Sequence, residues 1–434
     1  MKQLLSKLFI LSNLMLVTSC KGIDTYDKNA YFYYDNVNYT TTIGSKINNE
    51  NIEYGTIKIN KFDKPLRKDF AYGVDVSSII QVEECGGVFY NKEGKQQDVF
   101  EILKDSGVNT IRLRQFNNPY DENGRSYGAG HNDLTTNINI AKRAKRVGMN
   151  IMIDFHYSDF WADPAHQMLP KSWKNIKDLN DVIYTYTKQS LDAYKKLGIR
   201  IDSVQIGNEI HNGMCWPSGK LDYSNYDVSM KKISGMLNSG IKAVKESDDN
   251  IKTIIHLANA NDKDGFNRFL KALNTNEVPY DIIGISYYPI WHGEVSKTLA
   301  NLNNACKKYN KKGMVVETSY AFTLQTAKYS HNSFGPEQAK KCKYDVSYQG
   351  QCDLIREICR ELSNFSSENG IGCFYWEPAT LPLKDFWAGT KEGLKYHGYD
   401  GKGWQCSTAN QNLFSFKGRL LPSGEIYNLI KNSF

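Results

Sequence analysis

Eight short apolar runs alternate with helix-like stretches along the chain, and this alternation limits the folds it can adopt. The runs span 70–76, 110–116, 150–156, 203–209, 252–258, 281–288, 313–319 and 370–377. Gly148 and Gly198 each stand between a helical stretch and the next run, as expected of a glycine that ends a helix in a left-handed turn. Asp98 can cap the helix that begins V-F-E-I-L-K. Strands that alternate with helices predict an α/β fold with a parallel sheet.

Eight strand and helix units in about 310 residues fit a single (β/α)8 TIM barrel better than an open, doubly wound sheet. The barrel is predicted to occupy residues 67–434, and no internal repeat suggests another architecture. The formal charge of +7 is spread along the chain, and the densest basic stretch, 142–146, has helical spacing. We interpret that stretch as a solvated helix face and predict no nucleic-acid partner.

The N-terminus predicts export. Lys2 and Lys7 precede or flank a mostly apolar stretch at 8–17, which is too short to span a bilayer as a permanent helix. Residues 1–19 are therefore predicted to be a signal peptide. The small residues before Cys20 resemble a bacterial lipobox, in which the cysteine becomes the lipid-modified first residue. We expect a lipoprotein anchored to a bacterial membrane through Cys20 and displayed at the cell surface, with plain secretion as the alternative.

Two further features are the segment before the first strand and the cysteines. Residues 20–66, rich in Asn, Tyr, Thr, Lys and Ile, are predicted to form a tether or a small appendage. The other eight cysteines include no C-x-x-C pair, which argues against a structural zinc site. An exported protein can form disulfides, and Cys342, Cys352, Cys359 and Cys373 are the cluster expected to do so. Free, buried thiols are the alternative.

Two glutamates stand at the ends of apolar runs. Glu209 ends the fourth run in V-Q-I-G-N-E-I-H-N-G, and Glu317 ends the seventh in M-V-V-E-T-S-Y. Because the carboxyl ends of barrel strands meet on one face, the two side chains are expected to share a site. Such a pair is what glycoside hydrolysis requires. We assign Glu209 as general acid/base and Glu317 as nucleophile, and a separation of roughly 5 to 5.5 Å makes such a reaction retaining.

Other polar and aromatic residues at strand ends are predicted to support this pair. An arginine, Arg112 or Arg114, can keep Glu317 ionised, or the two can neutralise buried carboxylates. Asn208 is suited to hydrogen-bonding a sugar 2-OH. Indole rings match the apolar face of a pyranose, although each can instead pack a loop in place. The remaining supporting residues are Asp75, Asp154, His156, Trp161, Trp216, Tyr287, Tyr288, Trp291, His292 and Trp376.

Five segments resemble glycoside hydrolase family 53, the endo-β-1,4-galactanases of the retaining clan A barrels. They are D-F-H-Y-S-D-F-W-A-D-P-A-H-Q-M-L-P-K-S-W at 154–173, G-N-E-I-H-N-G-M-C-W-P at 207–217, Y-Y-P-I-W-H-G at 287–293, V-V-E-T-S-Y at 315–320 and Y-W-E-P at 375–378. The resemblance implies an acid/base at Glu209, a nucleophile at Glu317, and β-1,4-galactan of type I arabinogalactan as substrate. It implies no cofactor for catalysis and no obligate protein partner.

The resemblance also raises the question of calcium, which some bacterial family members bind in the loop after the eighth strand. Here that region offers oxygen donors from Asp385, Asp400, Ser407 and Asn412, so a structural calcium near them is a further implication. The motif at the fourth strand, 207–217, departs from the family pattern at Met214 and Cys215, where a larger apolar residue often stands. No role is assigned to 323–349.

Two other functions remain open at the level of sequence. The first is another retaining clan A β-glycanase, such as a mannanase or a xylanase, because a pair of carboxylates does not select the sugar. The second is a non-catalytic, glycan-binding lipoprotein built on a barrel. A binding protein has no need of both an acid and a nucleophile, which favours an enzyme.

Overall fold

The computed structural model describes residues 43–399 and 401–433, which contain a closed barrel of eight parallel strands. The strands are β1 Ala71–Asp75, β2 Thr110–Gln115, β3 Asn150–Phe155, β4 Ser203–Ile206, β5 Lys252–Leu257, β6 Ile282–Ser286, β7 Lys312–Thr318 and β8 Gly370–Trp376. Each strand pairs with its neighbours along the chain, and β8 closes the barrel on β1. The predicted (β/α)8 barrel is confirmed. The predicted signal peptide, Cys20 and Asp400 lie outside the described residues.

Helices join the strands and cover the outside of the barrel. In chain order they are α1 Ile79–Glu84, α2 Val99–Asp105, α3 Leu134–Arg146, α4 Leu179–Lys196, α5 Tyr226–Ser247, α6 Lys263–Thr275, α7 Pro289–His292, α8 Val295–Tyr309, α9 Pro336–Ala339, α10 Tyr348–Ser363, α11 Lys391–Tyr396 and α12 Ile426–Lys431. Asp98 caps α2 by accepting a hydrogen bond from Phe100 N at 2.9 Å. Gly148 and Gly198 follow α3 and α4 with φ of 69° and 65°, as predicted. Within the described ranges, no helix has the length and apolar character needed to cross a membrane.

The interior of the barrel changes from apolar to polar along the strands. A small apolar cluster inside the barrel consists of Met152, Ile254, Ile282, Met314, Val316 and Phe374. Side chains two positions apart on a strand point to the same face. Two positions beyond Met152, Ile254 and Phe374, that face therefore carries Asp154, His256 and Trp376. Functional groups thus gather at the carboxyl ends of the strands, while the main apolar core fills the space between strands and helices.

Residues 43–66, part of the predicted appendage, run as an irregular strap along the barrel. Phe62 and Leu66 are buried in the main core. The Tyr54 hydroxyl donates to Leu420 O, and Arg356 Nε donates to Asn60 O at 3.1 Å. The strap is thereby fastened to the C-terminal part of the chain and to α10.

The eight described cysteines are all free thiols, and six of them are buried. The expected disulfides among Cys342, Cys352, Cys359 and Cys373 are not formed, which agrees with the alternative of buried thiols.

The unassigned segment 323–349 packs against the loop that follows β8. His331 N donates to Cys406 O at 2.8 Å, and Ser333 N donates to Ser407 O at 2.8 Å. The Asn410 amide donates to the carbonyl oxygens of Thr323 and Phe334, both at 2.9 Å. The two loops therefore form one unit beside the mouth of the barrel.

Candidate active site

Glu209 and Glu317 line one cavity of about 360 Å³ at the carboxyl ends of the strands. The cavity also exposes aromatic, cationic and hydroxyl side chains. They include Arg112, Arg114, His156, Trp161, Asn208, Tyr288, Trp291, Ser333, Trp376, Tyr399, Trp404 and Ser407. The predicted convergence of the two glutamates is thus present in the fold.

Irregular backbone positions both carboxylates. In β7, Val315 pairs with Ile285 of β6 but Glu317 pairs with Ser286, so Val316 is an extra residue in a bulge. A bulge re-aims the side chains that follow it, and here it brings Glu317 opposite Ser286. Glu209 follows β4 in the left-handed region, with φ of 50° and ψ of 46°. A non-glycine residue held there costs about 1–3 kcal/mol and is typical of functional sites.

Arg112 is the cation that contacts the predicted nucleophile. Its guanidinium is buried, and Nη1 lies 2.8 Å from Glu317 Oε1 and 2.9 Å from Asp75 Oδ2. Nη2 lies 2.8 Å from Asp154 Oδ2 and donates to Asn208 Oδ1 at 2.9 Å. Because it contacts three carboxylates and the amide beside Glu209, Arg112 fixes the relative positions of the strands that lead to Glu209 and Glu317.

Arg114 contacts other groups than Arg112 does, apart from Asp75, which both contact. Its Nη1 lies 2.5 Å from Glu377 Oε1 and 3.5 Å from Asp75 Oδ1. Its guanidinium also lies over the Trp161 ring, 4.4 Å from the centroid. Arg114 therefore neutralises Glu377, a buried carboxylate that follows β8, and its guanidinium packs on the indole of Trp161, which lines the cavity. Of the two arginines considered from sequence, only Arg112 pairs with Glu317.

The surroundings of the two glutamates predict which one keeps a proton. Burial raises the pKa of Glu209 to about 8, and the neighbouring charge of Glu317 raises it as well. Burial also raises the pKa of Glu317, to about 7, while Arg112 opposes that rise. The two titrate as a pair, and contact with Arg112 makes Glu317 the one that ionises first. This order is the one required of a nucleophile and an acid.

Asn208 keeps one free donor beside the cavity, and the contacts of His156 fix the tautomer of its ring. The Asn208 amide nitrogen donates to Ala162 O at 2.8 Å, which leaves its second hydrogen for a ligand. His156 Nδ1 accepts from Ala162 N at 2.9 Å, so its proton is on Nε2, 3.1 Å from Asp154 Oδ2.

Three of the four predicted tryptophans line the cavity. Trp161 and Trp376 lie 6.1 Å apart, and Trp291 is 65% exposed at the rim. Trp216 lies outside the cavity, where its Nε1 donates to Asn212 O and Lys220 lies over its ring.

Tyr288 and not Tyr287 faces the cavity. The Tyr288 hydroxyl donates to Glu317 Oε2 at 3.3 Å. The Tyr287 hydroxyl donates to Gly293 O, away from the cavity. His292 also lies off the cavity and accepts from Tyr288 N through Nδ1 at 2.8 Å. It therefore supports the backbone that carries Tyr288.

Comparison with known proteins decides the family. The model of glycosyl hydrolase family 53 matches residues 71–427. The chain belongs to family 53. It is a glycoside hydrolase, and the matched region covers every strand of the barrel.

Relatives within family 53 span most of the chain. The endo-beta-1,4-galactanase of Bacillus subtilis (strain 168) is 38% identical over 382 residues, which cover 83% of this chain and 86% of the relative. The arabinogalactan endo-beta-1,4-galactanase of Thermothelomyces thermophilus is 35% identical over 367 residues, covering 82% and 98%. The solved family 53 catalytic domain of Ignisphaera aggregans superimposes with a TM-score of 0.78 at 36% identity, covering 86% of this chain and 99% of that domain.

Sequence reasoning missed three polar residues in the interior of this family 53 barrel. Gln205, His256 and Ser286 are buried, and together they connect to Glu209. Each lies inside an apolar run rather than at its end. The sequence did contain a signal, because each is a polar residue at an inward position of a buried strand. Burying a polar group without a partner is costly, so such a residue indicates a hydrogen-bonded network inside the barrel.

Three of the residues considered for calcium, Asp385, Ser407 and Asn412, lie within the described ranges. Asp385 is exposed, whereas Asn412 is fully buried. The amide oxygen of Asn412 is already satisfied, because it accepts from Thr380 Oγ1 at 2.9 Å. Calcium prefers six to eight oxygen ligands, which these described residues do not supply.

A second group in the described ranges, Asp163, His166 and His397, has atoms close enough to share a metal. The two imidazoles are stacked with an interplanar angle of 14°, and His166 Nδ1 lies 3.0 Å from Asp163 Oδ1. The in-plane lone pairs of parallel rings do not converge on one ion, so this arrangement does not suit a metal. Asp163 and His397 instead line the cavity, with His166 packed behind them.

Proposed function

We propose that this family 53 enzyme is an endo-acting hydrolase of β-1,4-galactan and type I arabinogalactan. One observation supports the proposal most strongly. Glu209 and Glu317, which have different neighbours, line a single cavity in a chain that is 38% identical to an endo-beta-1,4-galactanase. The sugar is inferred from the named relatives, because the carboxylate pair by itself does not select it.

The reaction is proposed to be a double displacement. In the first step Glu317 attacks the anomeric carbon while Glu209 donates its proton to the departing glycosidic oxygen. A covalent glycosyl-enzyme forms, and the shortened chain leaves as an alcohol. In the second step the Glu209 carboxylate takes a proton from water, the water oxygen attacks the anomeric carbon, and Glu317 is released. Two inversions retain the anomeric configuration, and the two carboxyl groups are expected to lie roughly 5 to 5.5 Å apart.

The surrounding residues support sugar binding at the point of cleavage. The free amide hydrogen of Asn208 is positioned to bond the 2-OH, where contacts strengthen in the transition state. Trp376 and Trp161 offer indole faces for the apolar side of a pyranose. Trp291, exposed at the rim, can extend this aromatic surface along a polymer.

The substrate assignment is tested on purified protein from about residue 21. Galactan, mannan and xylan are incubated separately, and reducing ends are followed with time. We expect rapid release from galactan alone, with oligosaccharides of several lengths, as an endo enzyme gives. Activity on mannan or xylan without activity on galactan reassigns the enzyme. Proton NMR at early times checks stereochemistry, and a first-formed α-anomer contradicts the retaining mechanism.

We also propose that the enzyme is exported and anchored through Cys20. The proposal is supported by the basic, apolar and small-residue pattern of 1–20. Cys20→Ser is expected to move the protein from the membrane fraction to the soluble fraction, without a change in specific activity. Unchanged membrane partition contradicts the lipid anchor, and processing without any membrane association supports plain secretion.

A further inference from the structure

A buried chain of hydrogen bonds runs from the interior of the barrel to Glu209. Ser286 Oγ donates to Glu209 Oε1 at 2.5 Å, and His256 Nε2 lies 2.8 Å from Ser286 Oγ. Gln205 Nε2 donates to His256 Nδ1 at 2.9 Å and also to Asp154 Oδ1 at 2.5 Å. Gln205, His256 and Ser286 are each at most 1% exposed. The chain therefore joins strands β3, β4, β5 and β6 without contact with solvent.

The direction of each hydrogen bond follows from the fixed donors at the inner end. The Gln205 amide is oriented by Asp154, which accepts from Nε2, and by Arg112 Nε, which donates to Oε1 at 3.4 Å. One hydrogen of Nε2 goes to Asp154, and the nearest acceptor for the other is His256 Nδ1 at 2.9 Å, compared with 3.2 Å for Asn208 Oδ1 and 3.3 Å for Gly207 O. The backbone N–H of Glu209 also approaches His256 Nδ1 at 3.4 Å.

The remaining neighbour of His256 Nδ1 is the Asn208 amide oxygen, an acceptor at 2.9 Å. Nδ1 thus faces two N–H donors and one acceptor, which favours an unprotonated Nδ1. The imidazole proton is therefore on Nε2 and points at Ser286. Ser286 then accepts from His256, and its own hydrogen is directed to Glu209 Oε1.

His256 must be neutral for this arrangement, and its surroundings keep it so. Burial lowers the pKa of His256 well below its usual range, and the positive charge of Arg112 lowers it further. His156 and His211 act in the same direction. His256 therefore stays neutral over the range in which the two glutamates titrate.

We propose that Ser286 and His256 are positioning residues that keep the acidic proton of Glu209 on Oε2 and stabilise the carboxylate that Glu209 becomes. Since Oε1 accepts the hydrogen from Ser286, the proton of the acid form is on Oε2. No hydrogen bond to Oε2 occurs among the described residues, and Glu209 lines the cavity, so Oε2 is free to meet the glycosidic oxygen. This inference rests on the proposed role of Glu209 as acid/base.

The same contact assists both halves of the reaction. In the first, Oε2 loses its proton to the leaving oxygen, and the hydrogen bond from Ser286 strengthens as negative charge develops on the carboxylate. In the second, the carboxylate regains a proton from water on Oε2. The hydrogens of Ser286 and His256 stay where they are, so neither residue is a proton donor to substrate.

Removing the Ser286 hydroxyl is expected to raise the pKa of Glu209. The groups that face Glu209 are Glu317, Asp163 and Arg112, together with Ser286. Burial and the charge of Glu317 raise the pKa of Glu209, and the Ser286 hydrogen bond opposes them. A hydrogen bond to a charged group typically changes a pKa by about one unit. Ser286→Ala should therefore move the alkaline limb of kcat/KM upward by about one pH unit.

The test compares pH profiles of the full-length enzyme on galactan for wild type, Ser286→Ala and Ser286→Thr. Threonine keeps a hydroxyl, so it should return the limb toward the wild-type position. The matched control is Ser247→Ala, which removes a buried hydroxyl that bonds only within α5, to Ala243 O at 3.0 Å. The control should not move the limb. A loss of kcat in Ser286→Ala with an unmoved limb overturns the proposal and leaves a structural role.

The role of His256 is tested by a second pair of variants. His256→Gln can place an amide N–H near the position of Nε2, whereas His256→Met cannot donate to Ser286. In His256→Gln we expect the alkaline limb of kcat/KM to stay near its wild-type pH, and in His256→Met we expect it to move to higher pH. If the two variants have the same alkaline limb, the role proposed for His256 is wrong. If wild type cleaves another β-1,4-glycan instead of galactan, the limb is measured on that polymer. Failure of the galactan assignment is thereby separated from failure of this inference.

Discussion

Glu317 contacts a guanidinium and Glu209 contacts a hydroxyl, and this difference sets the expected pH dependence. With Glu317 as the proposed nucleophile and Glu209 as the proposed acid, activity requires ionised Glu317 and protonated Glu209. The pKa of Glu317 is raised by burial to about 7, so kcat/KM should rise with pH on the acid side as this group ionises. The pKa of Glu209 is raised by burial to about 8, so kcat/KM should fall on the alkaline side as it loses its proton. A bell-shaped profile measured on galactan checks this, and a monotonic profile contradicts it.

Single substitutions should separate the two roles chemically. Glu209→Gln removes the acid/base and should reduce kcat on galactan by about 10²–10⁴-fold. An aryl β-galactobioside with an activated leaving group needs no acid, so this variant should form the galactobiosyl-enzyme. Azide should then accelerate turnover by attacking the anomeric carbon in place of water, giving a β-galactobiosyl azide and releasing Glu317. Glu317→Gln lacks the nucleophile and should not give that product. Equal azide responses in the two variants, measured by NMR of the product, contradict the assignment.

At the scale of elements, the sequence predicts where the strands lie, but it predicts less well their register and the partners of their inward side chains. The eight apolar runs are strands because β-branched and aliphatic residues recur there, and the strand ends carry the glutamates as expected. The bulge at Val316 was not predictable, because a one-residue register shift depends on both neighbouring strands. His256 was missed since one polar residue in an apolar run gives no indication of its partners.

The loop unit formed by 323–335 and 406–412 gives a prediction at the same scale. Asn410 is fully buried, and its amide nitrogen bonds both Thr323 O and Phe334 O. Asn410→Ala leaves the partly buried carbonyl group of Thr323 and the buried one of Phe334 without these donors, and it should reduce the free energy of unfolding by about 2 kcal/mol. Because Ser333 and Ser407 of this unit line the cavity, KM should rise more than kcat falls.

Urea unfolding and steady-state kinetics measure the two effects of Asn410→Ala. The matched control is Asn276→Ala, whose amide bonds only Ala272 O at the end of α6. It should cost less stability and leave KM unchanged. Equal destabilisation by the two substitutions contradicts the idea that Asn410 joins the two loops.

Across the whole molecule, the barrel was predictable and the contacts between distant segments were not. The boundary near residue 67 was inferred from composition. Nothing in the composition of 43–66 indicates that Tyr54 contacts Leu420 or that Arg356 reaches Asn60, because these contacts join segments about 300 residues apart or more. The same reason explains why Arg114 could not be assigned to Glu377 from sequence.

Burial of two carboxyl groups in one cavity should also affect the stability of the entire fold. The pKa of Glu209 is raised by burial from an ordinary 4.5 to about 8 in the folded protein. The folded state therefore favours the protonated form. The contribution of Glu209 to stability is fully present below its pKa in the unfolded chain. It is lost as the pH rises through its pKa in the folded protein.

Glu209→Gln removes the titration while its amide oxygen can still accept from Ser286. The variant should gain stability relative to wild type as pH increases from 5 to 9, by at least about 1 kcal/mol. Urea unfolding at a series of pH values measures the difference. Glu122→Gln, at an exposed position, is the control and should show a constant difference from wild type. If the difference between Glu209→Gln and wild type is equally constant, Glu209 does not hold its proton in the folded enzyme, and its role as the acid is contradicted.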